Sequence, residues 1–322
     1  MNSNATRDLS HVSFEGKRPP RSVSAPAGRA RCLSAETEEE PLDEFIGWVL
    51  DRGGLDAGAY RARPLGRRLP ACLRALKVDS TAAGRERLNR QPELVATALS
   101  ALLIGVTEFF REPDVFCCLQ ATILPVLARR TRPLRIWSAG CSNGAELYST
   151  AILLADSDLL EGSVLLGTDC RRDAIEQAEE GLYAESTLGR MGSVTRDRYF
   201  EPAGAKWRPV EGLRRHAQWK VADLLAGVEP GPWDIIMWRN SAIYLKPGPA
   251  EKVWRRLISV LDGDGVLVTG KAGRPPAGAG LIGVGRCLYA VAQGGPAGAA
   301  RDKRQPLSAA AQGQSGGRDG VP

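Results

Sequence analysis

The sequence predicts an α/β fold: a doubly wound sheet with an inserted small β-subdomain, preceded by a small all-helical domain. Two observations predict it. Five short apolar runs, Leu134 to Ala139, Val164 to Thr168, Trp219 to Ala222, Ile235 to Trp238 and Val266 to Thr269, read as strands, and helical stretches at about 145–155, 172–181 and 249–261 fall between most of them. Alternation of this kind is the signature of helices covering both faces of a mostly parallel sheet. The chain has 322 residues, 43% of them hydrophobic, so it is long enough to bury a large core beside a smaller one.

The elements follow in order. Residues 1–40 hold Arg, Ser, Pro and Gly with almost no clustered apolar residues, cannot offset the entropy of ordering, and are expected to be a disordered tail. The Glu38-Glu39-Glu40-Pro41 run suits the positive end of a helix, and Phe45, Ile46, Val49 and Leu50 follow at helical spacing. Residues 41–92 form a basic helical domain, with ten Lys and Arg against six acids over 41–90. Its Arg-rich face is either a solvated surface or the dock for an acidic partner. A helix at about 92–104 opens a linker, 93–133, that carries the motif Phe109-Phe110-Arg111-Glu112. The sheet domain spans 134–291. Its polar, Arg-rich insertion at 184–218 contains Tyr199, Phe200 and Trp207, and Leu281 to Val291 supplies the closing strand or strands. Residues 292–322, dominated by Gly, Ala and Pro, form a second tail expected to be disordered.

Several classes are excluded. The longest apolar run, Leu94 to Val106, is interrupted and shorter than the ~20 residues a membrane helix needs, and no secretory signal opens the chain, so a cytoplasmic protein is expected. Seven Cys without a CxxC argue against a disulfide framework or structural zinc. Only two His, His11 and His216, are present, so any chemistry here does without a His base.

In an open α/β sheet, ligands bind beyond the carboxyl ends of the strands. The first strand ends in Gly140-Cys141-Ser142-Asn143-Gly144, where two glycines would let backbone approach a ligand; the second ends in Asp169, placed to accept hydrogen bonds from a ribose diol. The G-x-x-x-G spacing of the glycine turn differs from the G-x-G-x-x-G of dinucleotide binding, and no phosphate-loop Gly-Lys-Ser/Thr is present. A glycine turn, a ribose-positioned acid and no pyrophosphate fingerprint suggest a nucleoside cofactor, with S-adenosylmethionine the leading candidate. The third and fourth strands lead to Asp223-Leu224 and Arg239-Asn240-Ser241.

The ordered motifs FFREPDVF (Phe109 to Phe116), RIWSAGCSNGAELYS (Arg135 to Ser149), LLGTDC (Leu165 to Cys170), AEEGLY (Ala178 to Tyr183), RYF (Arg198 to Phe200) and WDIIMWRNSAIYLKP (Trp233 to Pro247) resemble the CheR-type chemoreceptor glutamate O-methyltransferases over residues 42–275. The resemblance implies a Rossmann-like S-adenosylmethionine-dependent methyltransferase sheet and methylation of glutamate side chains on the cytoplasmic domains of chemoreceptors. It implies cofactor contacts at Thr107, Arg111, Gly140, Glu146, Asp169, Asp223, Leu224, Arg239 and Asn240. Arg111 and Tyr244 would lie beside the reacting groups, and the insertion would match a β-subdomain that in some members grips a receptor tail. Basic residues such as Arg61, Arg67, Arg68 and Arg74 would meet the receptor, without nucleic acid or membrane insertion, and a monomer is expected. A glutamate nucleophile is ionised at neutral pH, its pKa being about 4.3, so no general base is needed. The sequence departs from the family pattern at Gly105, Ala145, Leu147, Asp223, Ser241 and Lys271-Ala272-Gly273. Two other readings stay open: a catalytically degenerate, S-adenosylmethionine-binding scaffold in a chemotaxis-like signalling system, and a nucleic-acid methyltransferase, which the basic charge suggests and the Arg239-Asn240-Ser241 turn opposes.

Overall fold

Helix α1 (Glu44–Arg52) begins where Asp43 accepts hydrogen bonds from the Phe45 and Ile46 N–H groups at 2.9 and 3.1 Å. Of the expected acidic helix start, Glu38 to Glu40 lie outside the described residues and Pro41 is not helical, the N-cap being Asp43. This computed structural model describes residues 41–103, 107–189 and 191–292. Both expected disordered tails, with His11, and the departure at Gly105 lie outside the described residues, save for Ala292.

Four more helices, α2 (Ala62–Gly66), α3 (Leu69–Ala75), α4 (Thr81–Arg90) and α5 (Leu94–Leu102), complete the N-terminal helical region. Next come α6 (Pro113–Cys118) and α7 (Leu124–Leu127). The α/β part then runs β1 (Arg135–Ala139), α8 (Ala145–Asp156), β2 (Val164–Asp169), α9 (Arg172–Glu180), α10 (Ser193–Tyr199), β3 (Phe200–Ala203), β4 (Lys206–Pro209), α11 (Glu211–Arg214), β5 (Ala217–Val221) and β6 (Trp233–Trp238). It closes with α12 (Pro247–Val260), β7 (Leu261–Thr269), β8 (Leu281–Gly285) and β9 (Leu288–Val291).

The main sheet has seven strands in the order β5-β2-β1-β6-β7-β9-β8. The first five are parallel, and the β8–β9 hairpin adds to β7 antiparallel. The insertion contributes a separate two-stranded hairpin, β3–β4. Its predicted end at 218 overruns the main sheet, since Ala217 and Gln218 already pair with Leu165 and Leu166 in β5. Phe109 anchors this insertion, meeting Tyr183 and Phe200 edge to face at 4.9 and 5.0 Å.

Period-2 alternation sends successive strand residues to opposite faces. Ile136, Ile235 and Met237 pack in the core that holds α6 and α8, whereas Trp137, Ile236 and Trp238 pack in the core that holds Phe45, Ile46, Val49, Leu50 and Leu65. The helical region therefore shares a hydrophobic core with one face of the sheet. Backbone hydrogen bonds join them as well: Arg61 N–H donates to Tyr244 C=O, and Lys246 N–H donates to Ala59 C=O, both at 2.8 Å.

Candidate functional site

Strand order reverses beside β1, and a cleft opens past the carboxyl ends of β1, β2, β5 and β6. Each of the predicted cofactor and reacting residues, Thr107, Arg111, Gly140, Glu146, Asp169, Asp223, Leu224, Arg239, Asn240 and Tyr244, lines it. Gly144 does not. It has φ +86°, and a Cβ there would stand 2.5 Å from the Trp219 ring, so this glycine serves the turn and its packing rather than approach to a ligand. Gly140, at φ +80°, does face the cleft.

Two charged clusters organise the walls. In the first, the Arg239 side chain, 2% exposed, donates to Glu146 Oε2 at 3.1 Å, Glu112 Oε2 at 3.2 Å and the Arg111 carbonyl at 2.5 Å. Ser138 donates to the other Glu146 oxygen at 2.8 Å. Burial works against the Glu112 carboxylate, but the Lys271 N–H and the Arg239 guanidinium outweigh it and hold its pKa below the ordinary value. In the second, Asp169 accepts from Ser142 N–H at 2.9 Å and from three nitrogens of Arg171. Asp223 accepts from Leu225 N–H at 2.9 Å, and burial raises its pKa. Burial likewise raises the Tyr244 phenol, whereas Arg68, Arg111 and Arg171 pull the other way, so the phenol stays protonated at neutral pH.

Several contributors escape the sequence reading. Tyr60 from the helical region lines the cleft. Glu112 sits at φ +59° and Ser142 at 52°, as does the predicted Asn240 at 57°, whose Nδ2 donates to Glu112 Oε1 at 3.5 Å. Glu112 is the last residue of the FFRE motif, but nothing in the motif says that it reaches Arg239. Arg171 does carry a signal: a cation at the N-cap of α9, without a side-chain cap bond, opposes both capping preference and the helix dipole.

Residues 105–277 match the family model described as CheR methyltransferase, SAM binding domain. A chemotaxis protein methyltransferase of Vibrio parahaemolyticus is 32% identical over 196 residues, 58% of this chain and 70% of the relative. Chemotaxis protein methyltransferase 2 of Pseudomonas aeruginosa is 31% identical over 229 residues, 67% of this chain and 80% of the relative. That of Salmonella typhimurium is 29% identical over 266 residues, 77% of this chain and 90% of the relative. Among the described residues, no helix is long and apolar enough to cross a membrane.

Proposed function

The chain belongs to the CheR methyltransferase family, and on that premise we propose that it methylates glutamate side chains on the cytoplasmic domain of a chemoreceptor, acting as a cytoplasmic monomer. The family domain that it carries binds S-adenosylmethionine, which is therefore its cofactor. The residues present fit that group. The Nε of Arg239 is buried on the cleft wall without a hydrogen-bond partner among the described residues, a donor suited to the carboxylate of an amino acid. Leu224 and Leu225 give an apolar wall for a base, and Asp169 stands at the end of β2 for a ribose.

When bound, S-adenosylmethionine supplies a methyl group on a positively charged sulfur. The chain's part is to hold the acceptor. The observation that carries the proposal is that Arg111 and Tyr244, from distant segments, share one cleft with the acids and with Arg239. Arg111 provides a cation and Tyr244 a protonated hydroxyl to orient an acceptor carboxylate, which is already ionised and has no proton to give up. Positioning and exclusion of water then lower the barrier. The basic surface bearing Arg61, Arg67 and Arg74, all exposed, complements an acidic receptor segment.

The test is transfer of tritiated methyl to a panel of receptor cytoplasmic fragments, scored for alkali-labile label, because methyl esters hydrolyse in base. Arg111→Ala and Tyr244→Phe are expected to reduce methyl incorporation more than S-adenosylmethionine binding. Equal loss of both removes their assigned role. Binding without transfer to any fragment supports the scaffold reading instead, and base-stable label means that the acceptor is not a carboxylate.

A further inference from the structure

The Asp169 carboxylate, the acid placed for a ribose, is fully engaged. A carboxylate offers about four lone-pair sites. Four N–H donors meet this one: Ser142 N at 2.9 Å, Arg171 N at 3.0 Å, Arg171 Nε at 3.0 Å and Arg171 Nη2 at 3.3 Å. The same Nη2 also donates to Ser142 Oγ at 3.1 Å, so the guanidinium bridges the two strand ends that border the ribose position. Both side chains are nearly buried, Arg171 at 8% and Asp169 at 7% exposure, and both line the cleft. Two of the four donors are backbone and fixed by the turn; the other two belong to a side chain that can leave. A ribose diol presents two O–H donors, so ribose and guanidinium compete for the same pair of acceptor sites.

The sequence carries an independent mark of the same conflict. Arg171 occupies the N-cap of α9, where a short polar acceptor is preferred, and makes no capping bond there. A cation at a helix N-terminus faces the positive end of the dipole. Departures from a local rule without local compensation concentrate at functional positions. Here the compensation is Asp169.

We propose that Arg171 is a latch on the ribose acid: it neutralises Asp169 in the empty cleft and must swing away for the ribose diol to bind, so residue 171 sets the affinity for the adenosyl ligand. This rests on S-adenosylmethionine being the cofactor and on Asp169 receiving its ribose. The latch has opposite effects on the two states. It spares the empty site an uncompensated buried carboxylate, and it lowers apparent affinity by the free energy of the exchanged charge-assisted bonds.

Calorimetric titration of the full chain with S-adenosylhomocysteine tests this, comparing wild type with Arg171→Ala, Arg171→Gln, Asp169→Asn and the Arg171→Gln/Asp169→Asn double variant. Removing the guanidinium is expected to tighten binding about tenfold, equivalent to about 1.4 kcal/mol. The gain is expected to vanish in the Asp169→Asn background. Arg171→Gln keeps a neutral polar side chain with part of the length, and the assay stays interpretable if Arg171→Ala unfolds. A second readout is chemical: adenosine should be preferred over 2′,3′-dideoxyadenosine more strongly by Arg171→Gln than by wild type, because only the unlatched Asp169 reads the diol freely. Unchanged or weaker binding by Arg171→Gln, or a gain that persists with Asp169→Asn, overturns the latch while leaving the cofactor intact. Absence of binding by wild type and variants alike overturns the cofactor reading and the latch with it.

Discussion

Strand β6 has a buried ion-pair cluster at each end, and the two are mirror images in charge. At its amino end a fully buried acid, Asp234, is held by arginines: Arg130, Arg132 at 2.7 and 2.9 Å, and the Arg135 N–H at 2.7 Å. Just past its carboxyl end a buried arginine, Arg239, is held by the acids Glu112 and Glu146. The first cluster is closed, every Asp234 oxygen being occupied. The second leaves Arg239 Nε without a partner among the described residues, borders the cleft, and depends on Glu112 and Asn240 in left-handed backbone conformations. The same ion-pair chemistry thus serves as a clamp at one end and as a presented surface at the other. What separates them is whether the geometry leaves a donor and a cavity over.

The contrast breaks most visibly at the closed end. Asp234→Ala removes a 0%-exposed acid, leaves the Arg135 N–H without its acceptor and Arg130 and Arg132 with Asp262 as their remaining acid, and is expected to cost about 3 kcal/mol of unfolding free energy in urea titration, the low end for a broken buried pair because Arg132 is 43% exposed and keeps Asp262. Affinity of the folded protein for S-adenosylhomocysteine should stay within about twofold of wild type. A parallel loss of affinity would mean that the two ends are mechanically coupled through β6.

At the open end the balance reverses. Arg239→Lys keeps the charge but a single ammonium cannot span Glu112, Glu146 and the Arg111 carbonyl together. Binding of S-adenosylhomocysteine is expected to weaken about 30-fold, about 2 kcal/mol, with a smaller drop in melting temperature than Asp234→Ala causes. A large stability loss with intact affinity would make this cluster a second clamp.

Much of this was legible in the chain because it depends on local pattern. Each of the five parallel strands begins within five residues of its apolar run, since the inner ones bury a run of apolar residues bounded by turns, whereas β5, at the sheet edge, has no fully buried residue. Asp169 and Arg239 were legible as candidates because they follow such runs directly. Glu112 was not, since its role lies in meeting Arg239 across 127 residues of chain; Arg171 left a mark as a cation at a helix start, but not its reach back to Asp169. Gly144 misled for a related reason. A glycine in a turn before a helix looks the same whether a ligand or an indole ring crowds it, and here it is Trp219. The docking of the helical region onto the sheet through Tyr60, Leu245 and the shared core was likewise invisible, being a matter of long-range packing.

The finest distinction between the two ends is in pH. Glu112 is held below its ordinary pKa by the Lys271 N–H and Arg239, so its carboxylate stabilises the fold at any pH above the unfolded value of about 4.3, and that contribution is lost as pH falls through the lower folded value. Glu112→Gln cannot titrate. Melting temperature followed from pH 6 down to about pH 3 should therefore fall more steeply for wild type than for Glu112→Gln below about pH 4.3, the two curves running parallel above it. The gap is expected to be small, because burial of Glu112 opposes the interactions with the Lys271 N–H, Arg239 and Asn240 that favour its charge. Parallel curves throughout the acid range would mean that Arg239 is held by Glu146 and the Arg111 carbonyl without help from the Glu112 charge, and the open end would then rest on one acid, leaving the strained backbone at Glu112 to be explained by the turn into α6.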